Sequence, residues 1–136
     1  MNILVIDAQG GGLGRQVISL TKGIENAHII AVGTNSAATS AMLKAGADEA
    51  ATGENSVVVA CRKADVIVGP IGIVIADAML GEITPVMALA VTRSRAKRIL
   101  VPFNHCDTYI AGIGSFSTRQ LIEDAVAYLK KLLIVS

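Results

Sequence analysis

The apolar residues of this chain fall into short unbroken runs, separated by longer stretches in which they recur every three or four positions. Asn2–Asp7 (NILVID) is such a run, and Gly10, Gly11, Gly12 and Gly14 come directly after it, which predicts a buried first strand entering a tight turn. Leu13, Val17, Leu20 and Ile24 then keep helical spacing and predict a helix with one face against a sheet. A second strand is expected over 28–32. Asn35 or Ser36 can cap the next helix by accepting from a free backbone N–H, Met42 and Leu43 supply its larger contacts, and Gly46 ends it. A weak strand is expected over 48–52. The triplet Val57, Val58, Val59 favours a strand on propensity. Helix is nonetheless expected over 55–63, because two parallel strands need a crossover of about a dozen residues, usually helical.

Residues 65–69 (DVIVG) read as a central strand bounded by Gly69 and Pro70. Two apolar helical pieces are expected over 71–79 and 85–91, separated near Gly81. Lys97–Val101 reads as another strand, stopped by Pro102, and 108–112 as a sixth. A helix over 117–133 closes the chain: Ser117 and Gln120 form a capping box, and Ile122, Val126, Leu129 and Leu133 keep helical spacing. No linker, internal repeat or low-complexity tract interrupts the series. Strand and helix in alternation predict one α/β domain, a three-layer Rossmann-like parallel sheet with helices on both faces.

At 136 residues, the chain has room for one domain, so any complete site belongs to that domain or is shared between subunits. Hydrophobic residues make up 52% and charged residues 17%, which excludes a disordered chain. A net charge of +1 and only four aromatic residues leave nothing to hold or stack nucleic acid. The longest uncharged stretches fall short of the roughly 18 apolar residues of a membrane span, and Asp7 interrupts the place where a signal peptide would be apolar. The chain therefore reads as cytoplasmic, and Cys61 and Cys106 as reduced thiols rather than a disulfide framework.

In an open parallel sheet, ligands bind outside the carboxyl ends of the strands. That edge collects Asp7 and the glycine loop, Gly33-Thr34-Asn35, Thr52-Gly53-Glu54-Asn55, Gly69-Pro70-Ile71-Gly72 and Pro102-Phe103-Asn104-His105-Cys106. A loop without side chains between strand and helix lets backbone N–H groups approach a phosphate closely. The glycines nonetheless miss the dinucleotide fingerprint: G-x-G-x-x-G from Gly10 would need glycine where Arg15 stands. No Gly-Lys-Ser or Gly-Lys-Thr of a P-loop occurs. Thr34 and Asn35 stand where a ribose-binding acid is expected, which weakens the case for an adenine dinucleotide such as NAD(P). A tight structural turn is the competing reading of the loop.

Asp7 reads as a cap or orienting group for the loop, or as a Mg²⁺ ligand lacking a second nearby acid. Glu54 and Asn55 orient a ligand hydroxyl or cap a helix. His105, Cys106 and Asp107 are consecutive, so their side chains diverge and make no ready metal site. Cys61 reads as a small buried hydrophobe, and His28 has no evident partner. Neither tyrosine has a lysine four residues on, so the Tyr-x-x-x-Lys pair of a short-chain dehydrogenase is missing. Arg93, Arg95, Lys97 and Arg98 precede a strand and so lie at the opposite edge, as a solvated face or a partner surface.

The segments Asp7-Ala8-Gln9-Gly10-Gly11-Gly12, Gly33-Thr34-Asn35, Met42-Leu43-Lys44-Ala45-Gly46-Ala47, Ala51-Thr52-Gly53-Glu54-Asn55, Gly69-Pro70-Ile71-Gly72-Ile73 and Met79-Leu80-Gly81-Glu82-Ile83-Thr84-Pro85 span nearly the whole chain. In that order they resemble a family of small bacterial proteins catalogued as a domain of unknown function. The resemblance implies a compact Rossmann-like protein and brings no catalytic residue with it.

The residues themselves lead to a binding protein for a nucleotide or other phosphorylated metabolite. Gly10, Gly11, Gly12 and Gly14 would wrap the phosphate, Gly69 and Gly72 would form the other wall, and Thr34, Asn35, Glu54, Asn55 and Asn104 would select polar groups. The alternatives are a small enzyme acting on a phosphorylated substrate through Asp7, Glu54 and His105, and a structural subunit without a ligand. The uncharged run from Ile83 to Thr92 and the apolar end Leu132-Leu133-Ile134-Val135 predict a homodimer.

Overall fold

The computed structural model describes residues 1–102 and 108–135. Its sheet has five strands, β1 (Asn2–Asp7), β2 (His28–Gly33), β3 (Glu49–Thr52), β4 (Val66–Pro70) and β5 (Lys97–Val101), in the order β3-β2-β1-β4-β5. Every pairing is parallel. The connections carry α1 (Gly12–Thr21), α2 (Ser36–Ala45), α3 (Glu54–Lys63) and α4 (Pro85–Arg93), with a 3-10 turn (Ile71–Val74) before α4 and α5 (Thr118–Val135) after β5. Alternate side chains of a strand face opposite layers. Ile3 and Val5 join the core under α1, α2 and α5, whereas Leu4 and Ile6 join the core under α3 and α4. These are the three layers expected.

The crossover argument for α3 holds, with Val57 buried on its inner face and Val59 exposed. Asn35 caps α2 by accepting from Ala38 N–H at 2.9 Å, and Gly46 ends that helix at φ 121°. The α5 capping box forms in both directions: Ser117 N–H donates to Gln120 Oε1 at 2.8 Å and Gln120 N–H to Ser117 Oγ at 3.1 Å. Ile122, Val126, Leu129 and Leu133 are all buried.

Several expectations are corrected. Residues 71–79 make only the four-residue 3-10 turn. Gly72 and the β-branched Ile71, Ile73, Val74 and Ile75 are poor helix formers, and the chain then turns through left-handed residues from Asp77. The strand expected over 108–112 does not form: Thr108 makes an isolated bridge, and the chain turns at Ala111 and at Gly112 with φ 89°. Helix α1 stops at Thr21, so its inner face is Leu13, Gly14, Val17, Ile18 and Thr21. Leu20 and Leu43 are half-exposed. His28 has partners after all: its Nε2 lies 2.6 Å from Glu49 Oε2 and its Nδ1 3.7 Å from Asp48 Oδ2, across the β2–β3 ladder.

Candidate functional site

Strand order reverses between β1 and β4, so the crevice outside their carboxyl ends is where a doubly wound sheet offers a binding site. The glycine loop fills this position because β1 ends in Asp7, a buried carboxylate that organises the turn into α1. Asp7 Oδ1 accepts from Ala8 N–H at 2.8 Å and Oδ2 from Gly14 N–H at 2.7 Å. Burial pushes the Asp7 carboxyl above its ordinary value, and the nearby Glu82 charge adds to this, against the opposing pull of the backbone hydrogen bonds. One oxygen is thus committed to the start of the loop and the other to the first turn of α1, which makes Asp7 a positioning group for the loop.

The four glycines of the loop have different local reasons. Gly11 has φ 72°, and a Cβ there would lie 2.9 Å from the carbonyl oxygen of Ala38. A Cβ on Gly14 would lie 2.5 Å from Met42 Sδ and 3.1 Å from Asp7 Cβ. These two glycines let α1 pack against α2 and β1. Gly10 and Gly12 have no such reason: a Cβ on either would meet nothing within 4 Å, and neither has a left-handed backbone. Both are exposed, and among the described residues their N–H groups donate to no protein acceptor. They line a cleft of about 310 Å³ together with Asp7, Gln9, Pro70 and Met79.

Thr34 and Asn35, at the end of β2, face the loop through a carboxylate from far along the chain. Glu82 Oε1 accepts from Gln9 N–H at 2.9 Å, Thr34 Oγ1 at 2.5 Å and Asn35 Nδ2 at 2.8 Å. Asn35 Nδ2 also donates to the Gln9 carbonyl at 2.9 Å. Desolvation alone would raise Glu82, but the hydrogen bonds from Thr34, Gln9 and Asn35 outweigh it and hold the carboxyl below its ordinary value.

Of the residues expected at the site, Gly10, Gly11 and Gly12 line the cleft, while Gly14 is buried beneath them. Gly69 is a packing glycine, since a Cβ there would lie 2.6 Å from the Ile6 carbonyl oxygen. Gly72 is buried in the 3-10 turn, and Pro70 between them supplies the wall instead. Thr34 and Asn35 adjoin the cleft through Gln9 and Glu82 without lining it, and Glu54 and Asn55, exposed in the first turn of α3, do not line it either. Asn104, His105 and Cys106 lie outside the described residues.

Sequence reading missed Glu82 and Met79. The signal is an acid beside Gly81, in the connection that leaves the carboxyl end of β4. Cys61 is buried, and burial pushes its thiol up to about 11. A larger groove of about 690 Å³ lies between α3 and α4, away from the carboxyl edge of the sheet, and is lined by apolar residues, Cys61, Ser94 and the arginines Arg62, Arg93 and Arg95.

A family model described as "Domain of unknown function (DUF3842)" matches residues 2–134. No curated protein matches the sequence. Among solved structures, the fold is similar to that of a dodecameric FMN-dependent UbiX-like decarboxylase from Escherichia coli O157:H7. The TM-score is 0.56 and the identity 14%, over 98% of this chain and 94% of that one. That likeness is one of fold.

Proposed function

We propose, for a chain that belongs to the DUF3842 family of unknown function, that the cleft at the carboxyl end of β1 binds a nucleotide or other phosphorylated metabolite. The observation that carries this reading is the pair Gly10 and Gly12. Neither backbone conformation nor packing requires glycine there, yet they leave bare N–H groups in the loop, at Gly10, and at the first residue of α1, at Gly12. Such a backbone is suited to an approaching phosphate oxygen, which a side chain would keep at a distance. Met79 and Pro70 add apolar surface for the remainder of a ligand. Binding is favoured over acid–base catalysis, because Asp7 has both oxygens on backbone N–H groups and Glu54 stands away from the cleft.

A thermal-shift panel on protein stripped of copurified ligand tests this reading. It uses NAD(H), NADP(H), ATP, GTP, FMN, S-adenosylmethionine, coenzyme A and sugar phosphates. FMN is included with added reason, since the similar fold belongs to a protein described as FMN-dependent. A ligand at 100 times its Kd adds about 2.7 kcal/mol, a shift of several degrees. The expected result is a specific shift that Gly12→Val abolishes, because the valine projects where a Cβ now meets nothing. A panel without a hit, or a hit that Gly12→Val leaves unchanged, refutes the reading.

We also propose that the chain self-associates. The supporting surface is narrower than the sequence suggested, since Ile83, Met87, Ala88 and Val91 are buried in the chain's own core. Val86 and Leu89 remain half-exposed beside the α3–α4 groove, and Ile134 and Val135 are largely exposed at the end of α5. Light scattering at micromolar concentration should give a dimer mass that Leu89→Asp reduces to the monomer. A monomer in the unsubstituted protein removes the proposal.

A further inference from the structure

The segment between the 3-10 turn and α4 runs across the carboxyl edge of the sheet and is tightly folded. Ile83 anchors it in the core at 0% exposure, and Asp77 N–H donates to the Ile83 carbonyl at 2.7 Å. Asp77, Met79, Leu80 and Gly81 have φ of 65°, 58°, 58° and 85°. Three non-glycine residues in this region store strain that the surrounding structure must hold in place. The result of that path is that Met79 reaches the cleft while Glu82, three residues on, bonds to Gln9, itself a cleft residue.

Glu82 is held at one oxygen only. Oε1 takes all three hydrogen bonds, from Gln9, Thr34 and Asn35, and among the described residues Oε2 accepts none. The donors are themselves fixed, Asn35 by Ala38 N–H and by the Gln9 carbonyl. This leaves a pre-oriented carboxylate with a spare acceptor oxygen at the end of β2; it does not line the cleft itself but adjoins it through Gln9, which does. A Rossmann sheet that binds a ribose diol places its carboxylate at the end of the second strand. Here that strand ends in Gly33, with Thr34 and Asn35 next, and the acid arrives from the β4–α4 connection instead.

We infer that Glu82 is the residue that selects a ribonucleotide, accepting hydrogen bonds from the vicinal hydroxyls of its ribose. The inference rests on the phosphate-binding reading of the cleft and adds the class of ligand. An ionised carboxylate can only accept, so it favours a hydroxyl pair and repels a phosphate esterified at the same place.

Calorimetric titration of the full chain with ADP and 2′-deoxy-ADP, in the unsubstituted protein and in Glu82→Gln, tests it. The unsubstituted protein should prefer ADP by about 10- to 100-fold, the range for a hydrogen bond to a charged group. Glu82→Gln should bind both nucleotides alike, near the affinity of the unsubstituted protein for 2′-deoxy-ADP. A merely structural role for Glu82 would weaken both nucleotides equally and leave the preference intact, and that result overturns the inference. So does equal binding of the two nucleotides by the unsubstituted protein, or no binding of ADP. Phosphorylated ligands that bind without preference and still respond to Gly12→Val overturn the role of Glu82 alone. Absence of binding by every phosphorylated ligand overturns both readings.

Discussion

Gly12 and Gly14 lie two residues apart in the first turn of α1, and replacing each by alanine should have opposite consequences. A Cβ on Gly14 would come 2.5 Å from Met42 Sδ and 3.1 Å from Asp7 Cβ, and Met42 is fully buried, so its sulfur has nowhere open to move. Overpacking of this kind costs about 1–3 kcal/mol. The helical preference of alanine over glycine returns at most about 1 kcal/mol. With that return in full, the net expectation for Gly14→Ala is a loss of up to about 2 kcal/mol. Gly12→Ala meets no atom within 4 Å and needs no left-handed backbone, so it keeps the propensity gain and should be neutral or more stable by a few tenths of a kcal/mol. At about 2.1 cal/mol/K per residue, the 136 residues of the chain convert 1 kcal/mol into about 3.5 °C of Tm. Urea unfolding monitored by circular dichroism, with calorimetry for Tm, separates the two variants. If Gly12→Ala loses as much stability as Gly14→Ala, the fold itself requires glycine at position 12. The strongest reason for a ligand at this loop would then be gone.

The two carboxylates of the site should give opposite pH responses. Asp7 is raised by burial, so its contribution is fully present below the unfolded carboxylate pKa and is lost as pH rises through the higher folded value; Glu82 is lowered, so its contribution is present above the unfolded value and is lost as pH falls through the lower folded one. Stability measured against pH by urea unfolding should therefore lose its decline on the acid-to-neutral rise in Asp7→Asn and its decline at the acid end in Glu82→Gln, and curves parallel to the unsubstituted protein would refute the assignments. Asp7→Asn should also cost about 1–2 kcal/mol at neutral pH, since the amide can accept only one of the Ala8 and Gly14 N–H groups. Ser117→Ala removes the hydroxyl that accepts from Gln120 N–H and should cost about 1 kcal/mol, read from the urea midpoint at constant slope; an unchanged midpoint would show that α5 is held by its buried face alone.

The architecture was legible because a parallel sheet leaves two strong marks on a sequence: continuous apolar strands and helices with one buried face. β1 and β4 are buried along nearly their whole length, and the α5 stripe Ile122, Val126, Leu129 and Leu133 lies within the buried set observed. The misreadings lie where a local pattern is outweighed by packing or backbone geometry. Leu20 continued a helical spacing, but Ile18 and Thr21 face the core instead, because α1 also packs against α2 and α5. Residues 71–79 are apolar enough for a helix, yet the chain has to cross the sheet edge to reach α4, and it does so through left-handed turns.

The site was legible only in its local part. Glycines in a strand-to-helix turn announce themselves, but the sequence cannot separate a glycine that packing requires from one that leaves open space. Gly11 and Gly14 are of the first kind because Ala38 and Met42, which are 27 and 28 residues on, come close; Gly10 and Gly12 are of the second because nothing does. The acid is harder still to see. Glu82 reaches Gln9, Thr34 and Asn35 across 73, 48 and 47 residues, and the path that brings it there is set by positive φ at Asp77, Met79 and Leu80. None of those residue types prefers the left-handed region as glycine does, and asparagine and aspartate only partly share that tolerance. No apolar periodicity therefore reports the turn. The missing acid at the end of β2 argued against a ribose only while recognition was sought within one strand–loop–helix unit. A distant loop brings a carboxylate to the same strand end here, and Thr34 and Asn35, in place of an acid, supply two of the three hydrogen-bond donors that hold it.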